Sequence, residues 1–273
     1  MPFRHLFTLC LALLVVAGLL TVVIAPAATA QAETPSIGIG FRPSAPYVIR
    51  AADGTLSGLE YELVTLAAGS AGLRLRARLA PLGRLSEDFR RGSLQDFAPA
   101  NPAMKLPGCI SDTVLVYRNM AFSLQNRRLD IATPADLLAA DVTAFQNAHV
   151  LLGPTVAALA QNADRYHEVA NQMLQIRALF SGRTDVVLAE RRIFRYMMRS
   201  PDAGVNTSQS LVEHDIFPPT PYGVAFQRQD DCIAFNRGLA AIRHNGVYDN
   251  VLRRWDTAPQ AKSGAVPVVK SAG

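Results

Sequence analysis

The sequence predicts an α/β protein built from two lobes. From Ser36 to Ala98, strand patterns alternate with helical ones, which is typical of a lobe with a mainly parallel sheet. The same alternation runs again from Thr113 to Met198. Composition agrees with a folded chain, since 49% of the 273 residues are hydrophobic and 18% are charged.

The first thirty residues have the pattern of a cleavable signal peptide. Arg4 and His5 precede an apolar run from Leu6 to Ile24, and small residues then lead to an A-x-A ending at Ala30. An uncleaved membrane anchor is the alternative, because the run nearly reaches the length that spans a bilayer. We expect cleavage near Ala30 and a periplasmic mature protein.

The elements of the first run are marked by turns and caps. Asp53-Gly54 is a strong hairpin signal, and Gly72 fits a helix C-cap. Leucines alternate with arginine or alanine from 73 to 79, as in a strand with one polar face. The predicted elements are strands at 36–41, 73–79 and 96–98, a hairpin of 47–49 with 56–59, and helices over 61–71 and 85–91.

The second run is marked in the same way. Thr133 is the predicted N-cap of a helix with Pro134 at its first position. Apolar spacing predicts a helix over 167–179 that Gly182 ends. The other predicted elements are strands at 113–123, 142–145, 186–189 and 223–226, helices over 156–162, 193–198, 232–244 and 248–255, and a disordered tail at 259–273.

Charge and histidine placement argue against two classes of function. The formal net charge is +5, but the basic residues are scattered, whereas a nucleic-acid surface concentrates them on one face. The five histidines are far apart, and no cysteine and histidine group has zinc spacing. We therefore expect no nucleic-acid partner, no metal and no cofactor.

Three stretches stand out by their order and spacing: Ala45–Tyr47 with the segment 53–62, the run 182–190, and Phe235–Leu239 with the segment 245–255. Together they resemble the family 3 extracellular solute-binding proteins, whose best-known members bind polar amino acids for ABC importers. The resemblance implies a type II periplasmic binding protein fold, in which two Rossmann-like lobes are joined by two crossover strands. It implies that lobe 1 holds residues 31–121 and 223–258, and that lobe 2 holds residues 122–222.

The resemblance also implies a ligand cleft between the lobes, near the carboxyl ends of the strands. Tyr47 is either a ring that stacks on the ligand or a half-buried hairpin aromatic. Glu190 matches an acid that holds a ligand ammonium, and its alternative role is at the start of a helix. Gln146, Asn147 and His149 match a loop that grips a carboxylate, although a lone histidine is more often structural.

The loop at 101–109 departs from the family pattern. Amino-acid binders carry an arginine there that clamps the α-carboxylate with two parallel hydrogen bonds. This chain has none at the matching place, so Asn101 and Lys105 are the polar candidates, and Lys105 supplies a point charge without the fork. The departure disfavours an α-amino acid as the ligand.

Cys109 and Cys232 are the cysteines that remain after cleavage. In an oxidising compartment an even pair indicates a disulfide, and two free buried thiols are the alternative.

We therefore predict a monomeric solute-binding protein, and not an enzyme, that captures a small polar molecule for an ABC importer permease. One alternative is a ligand-sensing subunit for a membrane receptor. The less favoured alternative is a dehydratase-like enzyme, in which Glu190 or His149 acts as acid or base. The sequence has no nucleophile elbow, metal motif or phosphate loop.

Overall fold

The structure is a computed structural model that describes residues 36–257. The predicted signal peptide at 1–30 and the predicted tail at 259–273 lie outside the described residues. Between residues 36 and 257, no helix has both the length and the apolar composition that crossing a membrane requires.

The strands and helices alternate along most of the described chain. The strands are β1 (Ser36–Phe41), β2 (Ile49–Arg50), β3 (Leu56–Ser57), β4 (Arg74–Leu79), β5 (Asp96–Ala100), β6 (Cys109–Ile110), β7 (Leu115–Tyr117), β8 (Asn119–Leu124), β9 (Val142–Phe145), β10 (Tyr166–Val169), β11 (Val186–Glu190), β12 (Leu211–His214) and β13 (Thr220–Phe226). The helices are α1 (Leu59–Ser70), α2 (Leu82–Arg90), α3 (Ala148–Leu151), α4 (Pro154–Leu159), α5 (Met173–Phe180), α6 (Arg191–Met198), α7 (Gln229–His244) and α8 (Val247–Thr257).

The first lobe is built on a sheet with the strand order β4-β1-β5-β13-β6, and β7 also pairs with β13. β1 runs parallel to β4 and β5, whereas β13 is antiparallel to β5. Ala98 packs into a core with α1, α7 and α8, while its neighbour Phe97 packs against Phe89 of α2. Because successive strand residues point to opposite faces, helices cover both faces of this sheet.

The second lobe is built on a sheet with the strand order β10-β9-β11-β8-β12. β10, β9 and β11 are parallel to one another, β8 is antiparallel to β11, and β12 is antiparallel to β8. The buried strand β11 again serves two cores, since Leu188 packs with Val156 of α4 and Val187 packs with Ile176 of α5. Strands buried on both faces read as continuous apolar runs, as this one does.

Two chain segments connect the lobes side by side. One passes from β7 through Arg118 into β8, and the other passes from β12 into β13. β13 pairs with β7 and β12 pairs with β8, so the crossings stay adjacent. An ion pair of 2.9 Å between Arg118 Nη1 and Asp215 Oδ2 joins them. The predicted fold of two α/β lobes and two crossover strands is confirmed.

Cys109 and Cys232 form a disulfide, which confirms the bridged interpretation. The bond joins β6 to α7 within the first lobe and closes a long stretch of chain, with a sequence separation of 123 residues. A covalent link across so long a loop restricts the unfolded chain and thereby stabilises the folded one.

Some element predictions are wrong in detail. The predicted helix over 167–179 is an edge strand, β10, followed by α5, because Tyr166–Val169 pairs in parallel with β9. The predicted strand over 113–123 breaks at Arg118, where the chain changes sheets. The turn that Thr133 opens is present, with Thr133 N donating to Asp136 Oδ2 at 2.8 Å, but it is a 3₁₀ helix at 134–139.

Candidate functional site

The carboxyl ends of the first lobe's parallel strands place three polar side chains together. β1 and β5 are neighbours, with Phe41 beside Ala98, so Arg42 and Asn101 follow adjacent strand ends. Tyr47 lies on the loop after β1, where its backbone carbonyl accepts hydrogen bonds from the first turn of α1. This edge is where open α/β sheets bind ligands.

The carboxyl ends of the second lobe's strands gather another group of the predicted residues. β9 and β11 are parallel neighbours, with Ala144 beside Leu188. Gln146 and Glu190 therefore lie at one edge of the sheet, with Asn147 and His149 just beyond β9.

Tyr47 and Glu190 lie near each other across the two lobes. Tyr47 is fully buried, and only 4% of Glu190 is exposed. Burial and then the Glu190 carboxylate raise the pKa of the Tyr47 hydroxyl, and burial raises the pKa of Glu190. The two residues are close enough to interact electrostatically, although their side chains do not form a well-aligned hydrogen bond.

Glu190 also ties the crossover to the second lobe. Its Oε2 accepts a hydrogen bond from Ile193 N at 3.0 Å, which caps α6, and its Oε1 accepts one from Arg118 N at 3.3 Å. Arg191 N in turn donates to Arg118 O at 2.8 Å. Glu190 therefore has the alternative role considered from the sequence, at the start of a helix. An ionised carboxylate has about four lone-pair sites, so two bonds leave capacity for a further donor.

Three tyrosines stack where the lobes meet. The Tyr47 and Tyr117 rings are parallel, with centroids 4.3 Å apart, and Tyr222 packs on Tyr117 at 4.6 Å. The Tyr222 hydroxyl lies beside Asn101, and the Tyr117 hydroxyl lies beside Arg42. We call these five residues the tyrosine cluster.

The tyrosine cluster contains four buried polar atoms without a hydrogen-bond partner. They are Arg42 Nε, Tyr47 Oη, Asn101 Oδ1 and Tyr117 Oη, and they are all such side-chain atoms found between residues 36 and 257. Leaving a buried polar atom unpaired costs about 1–3 kcal/mol, so folded proteins rarely do so. Their concentration makes this region the candidate site, with the Glu190 carboxylate beside Tyr47 Oη and the Arg42 guanidinium beside Tyr117 Oη.

A buried carboxyl group lies behind the cluster. Glu60, in the first turn of α1, is only 2% exposed. Burial raises its pKa to about 7, although the charge of Arg42 opposes the shift. The wall of the first lobe thus holds one guanidinium and one carboxyl group that is only partly ionised at neutral pH.

The loop at Gln146–His149 already binds a carboxylate of the chain itself. Glu168 accepts hydrogen bonds from Asn147 N at 2.7 Å, His149 N at 2.9 Å, His149 Nδ1 at 2.7 Å and Tyr166 Oη at 2.8 Å. Burial would raise the pKa of Glu168, but these hydrogen bonds lower it to about 2. The amide groups expected to grip a ligand carboxylate are therefore engaged by Glu168.

Lys105 lies apart from the cluster. It is exposed, at the end of the 3₁₀ turn Pro102–Met104, with a left-handed backbone at φ 47°. Among the described residues, no hydrogen bond or ion pair involves its ammonium group. The structure therefore brings Asn101 to the tyrosine cluster without bringing Lys105 there.

A small cavity lies beside the crossovers on the side of the second lobe. It measures about 160 Å³ and is lined by Asn119, Thr220, Phe217, Pro218 and the loop at 151–153. Asn119 is the residue that pairs with Glu190 across β8 and β11, so the cavity adjoins the Glu190 end of the site.

Between residues 36 and 257, no group of three or more His, Cys, Asp or Glu is arranged to hold a metal ion.

Of the residues proposed from the sequence, Tyr47, Asn101 and Glu190 lie in this region, and four further residues of it were not predicted. Arg42 directly follows β1 and precedes Pro43, and Glu60 looks like an ordinary first-turn acid of α1. Tyr117 and Tyr222 lie in apolar strands, where an aromatic residue usually belongs to the core. The signal for Arg42 in the sequence is its position directly after a predicted strand, beside the strand that ends before Asn101.

These features define the type II periplasmic-binding-protein-like fold, with its two α/β lobes, and solved structures share it. A histidine kinase sensor domain with similarity to periplasmic binding proteins matches with a TM-score of 0.64 and 17% identity, over 82% of this chain and 97% of its own. The GluR0 ligand-binding core in complex with L-glutamate matches at 0.65 and 16%, over 82% and 99%. An ancestral amino-acid-binding protein, a precursor of cyclohexadienyl dehydratase, matches at 0.59 and 16%, over 81% and 94%.

At this level of identity the comparisons show the shared fold. No family model matches the chain. No curated protein matches it either.

Proposed function

We propose that the chain is a periplasmic solute-binding protein that captures a small polar molecule and delivers it to an ABC importer. The solute is held between lobe 1, residues 31–121 and 223–258, and lobe 2, residues 122–222. The observation that carries this proposal is the group of four unpartnered buried atoms in the tyrosine cluster. They lie beside the crossovers, at the carboxyl end of the first sheet.

These atoms specify what the solute must offer. Arg42 Nε can only donate a hydrogen bond, Asn101 Oδ1 can only accept one, and the Tyr47 and Tyr117 hydroxyls can do either. A solute with at least one acceptor and one donor satisfies them together. Glu190 has acceptor capacity left for a donor on the opposite side of the solute.

The other residues predicted from sequence take proposed places around this centre. Gln146, Asn147 and His149 form the rim on the second lobe, where the Glu168 carboxylate is held. Lys105 forms part of the rim on the first lobe. The solute therefore meets buried tyrosines at the centre and exposed polar groups at the edge.

The crossovers supply a mechanism for capture. Arg118 lies between two sheets, and its backbone bonds to Glu190 and Arg191 in the second lobe. A change in the backbone angles there rotates one lobe against the other, and a solute that contacts both lobes favours the closed state. Capture in this way needs neither a cofactor nor a catalytic group, and the protein acts as a monomer.

Two alternative functions begin with the same binding of a solute between the lobes. The likeness to a sensor domain favours a second candidate, a ligand-sensing subunit that presents its closed form to a membrane receptor. The likeness to the precursor of a dehydratase keeps an enzyme as the less favoured alternative. Chromatography of each bound solute after incubation separates binding from turnover.

The test is a thermal-shift screen of the chain from residue 31 against amines, amino acids, organic acids and sugars. A specific solute raises the melting temperature, because a ligand at a hundred times its Kd stabilises the folded state by about 2.7 kcal/mol. Replacing Tyr117 with phenylalanine keeps the ring stack and removes one unpartnered hydroxyl. We expect Tyr117→Phe to weaken binding about threefold to tenfold, since one hydrogen bond is lost.

For the stability of the solute-free protein we expect the opposite effect of Tyr117→Phe. Without solute, Tyr117→Phe should be as stable as the parent or more stable, because a buried unpaired hydroxyl is removed. Tyr196→Phe, in α6 and outside the cluster, is the matched control and should leave affinity unchanged. If Tyr117→Phe lowers stability and leaves solute affinity intact, the hydroxyl serves the fold and the proposal is wrong.

A further inference from the structure

We propose that the small cavity beside the crossovers binds an apolar group of the solute, which makes the solute a molecule with one polar end and one short hydrocarbon end. This inference rests on the proposed function, because it assigns a second contact to the same bound molecule. The polar end meets the tyrosine cluster and Glu190, and the hydrocarbon end extends from there toward the loop at 151–153.

The walls of the cavity are mostly apolar, and no charged residue is among them. The hydrocarbon surface comes from Leu151, Leu152, Phe217 and Pro218, and Gly153 adds backbone without a side chain. Leu151 is 65% exposed, so much of its apolar surface is still available for contact. Burial of apolar surface is favourable in proportion to the area that leaves water. A charged group, by contrast, would lose its hydration here without gaining an ionic partner.

Strand pairing places the cavity beside the candidate site. Thr220 of β13 pairs with Tyr117 of β7, and Asn119 of β8 pairs with Glu190 of β11. Residues directly opposite each other in an antiparallel pair share one face of the sheet, with Cβ atoms about 5 Å apart. Thr220 and Asn119 are the two polar residues of the cavity wall, so each adjoins a residue of the candidate site. A solute that contacts Tyr117 and Glu190 can therefore reach the cavity through a few bonds.

The loop at 146–149 fixes one wall of the cavity. Glu168 accepts hydrogen bonds from Asn147 N at 2.7 Å and His149 N at 2.9 Å, at the start of α3. α3 is only four residues long and ends at Leu151, so this anchoring also sets the position of Leu151. The amide groups of the loop hold Glu168, and the end of α3 supplies an apolar side chain to the cavity.

The volume of the cavity limits the length of the hydrocarbon end. The cavity measures about 160 Å³, and a water molecule takes up about 30 Å³ of the liquid, so about five groups of that size fit. A methylene group is of similar size. We therefore expect the cavity to hold a chain of about five carbon atoms and to reward no further lengthening.

Two series of probes with growing hydrocarbon chains test the cavity. They are glycine, L-alanine, L-norvaline and L-norleucine, and acetamide, butanamide, hexanamide and octanamide, each titrated by calorimetry into the chain from residue 31. Every probe carries a hydrogen-bond donor and an acceptor at its polar end. Affinity should rise about twofold to fourfold with each added methylene, because that group leaves water. The rise should end at hexanamide, because octanamide exceeds the volume of the cavity.

A pair of neighbouring variants locates the effect. Leu151→Ser removes one apolar wall and should cut the rise from glycine to norleucine by about threefold or more. Val150→Ser is the matched control, because Val150 is 69% exposed and does not line the cavity. It should leave the rise unchanged. Both substitutions are on the surface, and the melting temperature of each variant shows that it is folded.

The outcomes separate this inference from the function beneath it. Affinity that stays constant along both series overturns the role of the cavity, and so does a rise that Leu151→Ser leaves intact. A further rise from hexanamide to octanamide also contradicts it. If neither series binds, the inference is wrong, and the proposed function stands when the thermal-shift screen finds another solute. If no solute binds in that screen, both are wrong.

Discussion

Glu60 and Asp96 are carboxyl groups that the fold holds in unusual surroundings. Burial raises the pKa of each to about 7, with the charge of Asp231 adding to the shift at Asp96. The ordinary values are 4.5 for Glu60 and 3.8 for Asp96, so each folded-state pKa lies above the unfolded one. Between these values the folded chain binds more protons than the unfolded chain, and stability falls as the pH rises.

Replacing Glu60 with glutamine should flatten this dependence. From pH 4.5 to 7 the ionisation of Glu60 lowers the free energy of unfolding by up to about 1.4 kcal/mol per pH unit. Urea unfolding at several pH values measures the slope. Glu60→Gln should have a smaller slope than the parent, and Glu87→Gln, which changes an exposed acid of α2, should match the parent. Equal slopes for the parent and Glu60→Gln would contradict the burial argument.

At the scale of elements, the crossover and α6 depend on one carboxylate. Glu190 accepts hydrogen bonds from Ile193 N and Arg118 N, so it caps the helix and holds the crossover backbone together. Glu190→Ala removes both acceptors and should lower the free energy of unfolding by about 1–3 kcal/mol. Glu190→Gln retains an acceptor oxygen and should lose less.

The same pair of variants separates the cap from the ligand role. Glu190→Gln keeps most of the cap and removes the negative charge, so a solute ammonium group at Glu190 would lose its ionic partner. Calorimetry with the best solute of the screen should then show weaker binding by Glu190→Gln. If Glu190→Gln binds as tightly as the parent, Glu190 is a cap alone and the ammonium contact is excluded.

Local signals in the sequence predict much of the fold. Strand alternation predicts β1 and β4, and Thr133 with Pro134 predicts a helix start where the structure has a 3₁₀ helix. They fail at β10, because Val169, Met173 and Ile176 have helical spacing across a strand, a turn and a helix. Tyr117 and Tyr222 were missed for a related cause: Tyr117 meets Thr220 and Tyr222 meets Leu115 only through pairing of β7 with β13, about a hundred residues apart in the chain. Such pairing leaves no local trace.

At the scale of the whole molecule, two lobes are connected by two adjacent crossover strands, and Ile193 and Met197 of α6 in the second lobe pack against the core of the first. The disulfide between Cys109 and Cys232 lies within the first lobe, whereas α8 also contacts the second lobe through the ion pair between Asp256 and Arg192 of α6. The four unpartnered polar atoms are grouped beside the crossovers. Unpaired buried groups lower stability, and proteins carry such costs at the sites where they bind.

The most direct measurement is a crystal structure of the chain from residue 31 with the tightest-binding solute of the screen. We expect the solute between the lobes, with hydrogen bonds to Arg42 Nε, Tyr117 Oη and Asn101 Oδ1. A solute bound elsewhere, for example in the polar hollow formed by Asp96, Arg228 and Asp231, would contradict it. The same holds if the four buried atoms remain unpartnered in the complex.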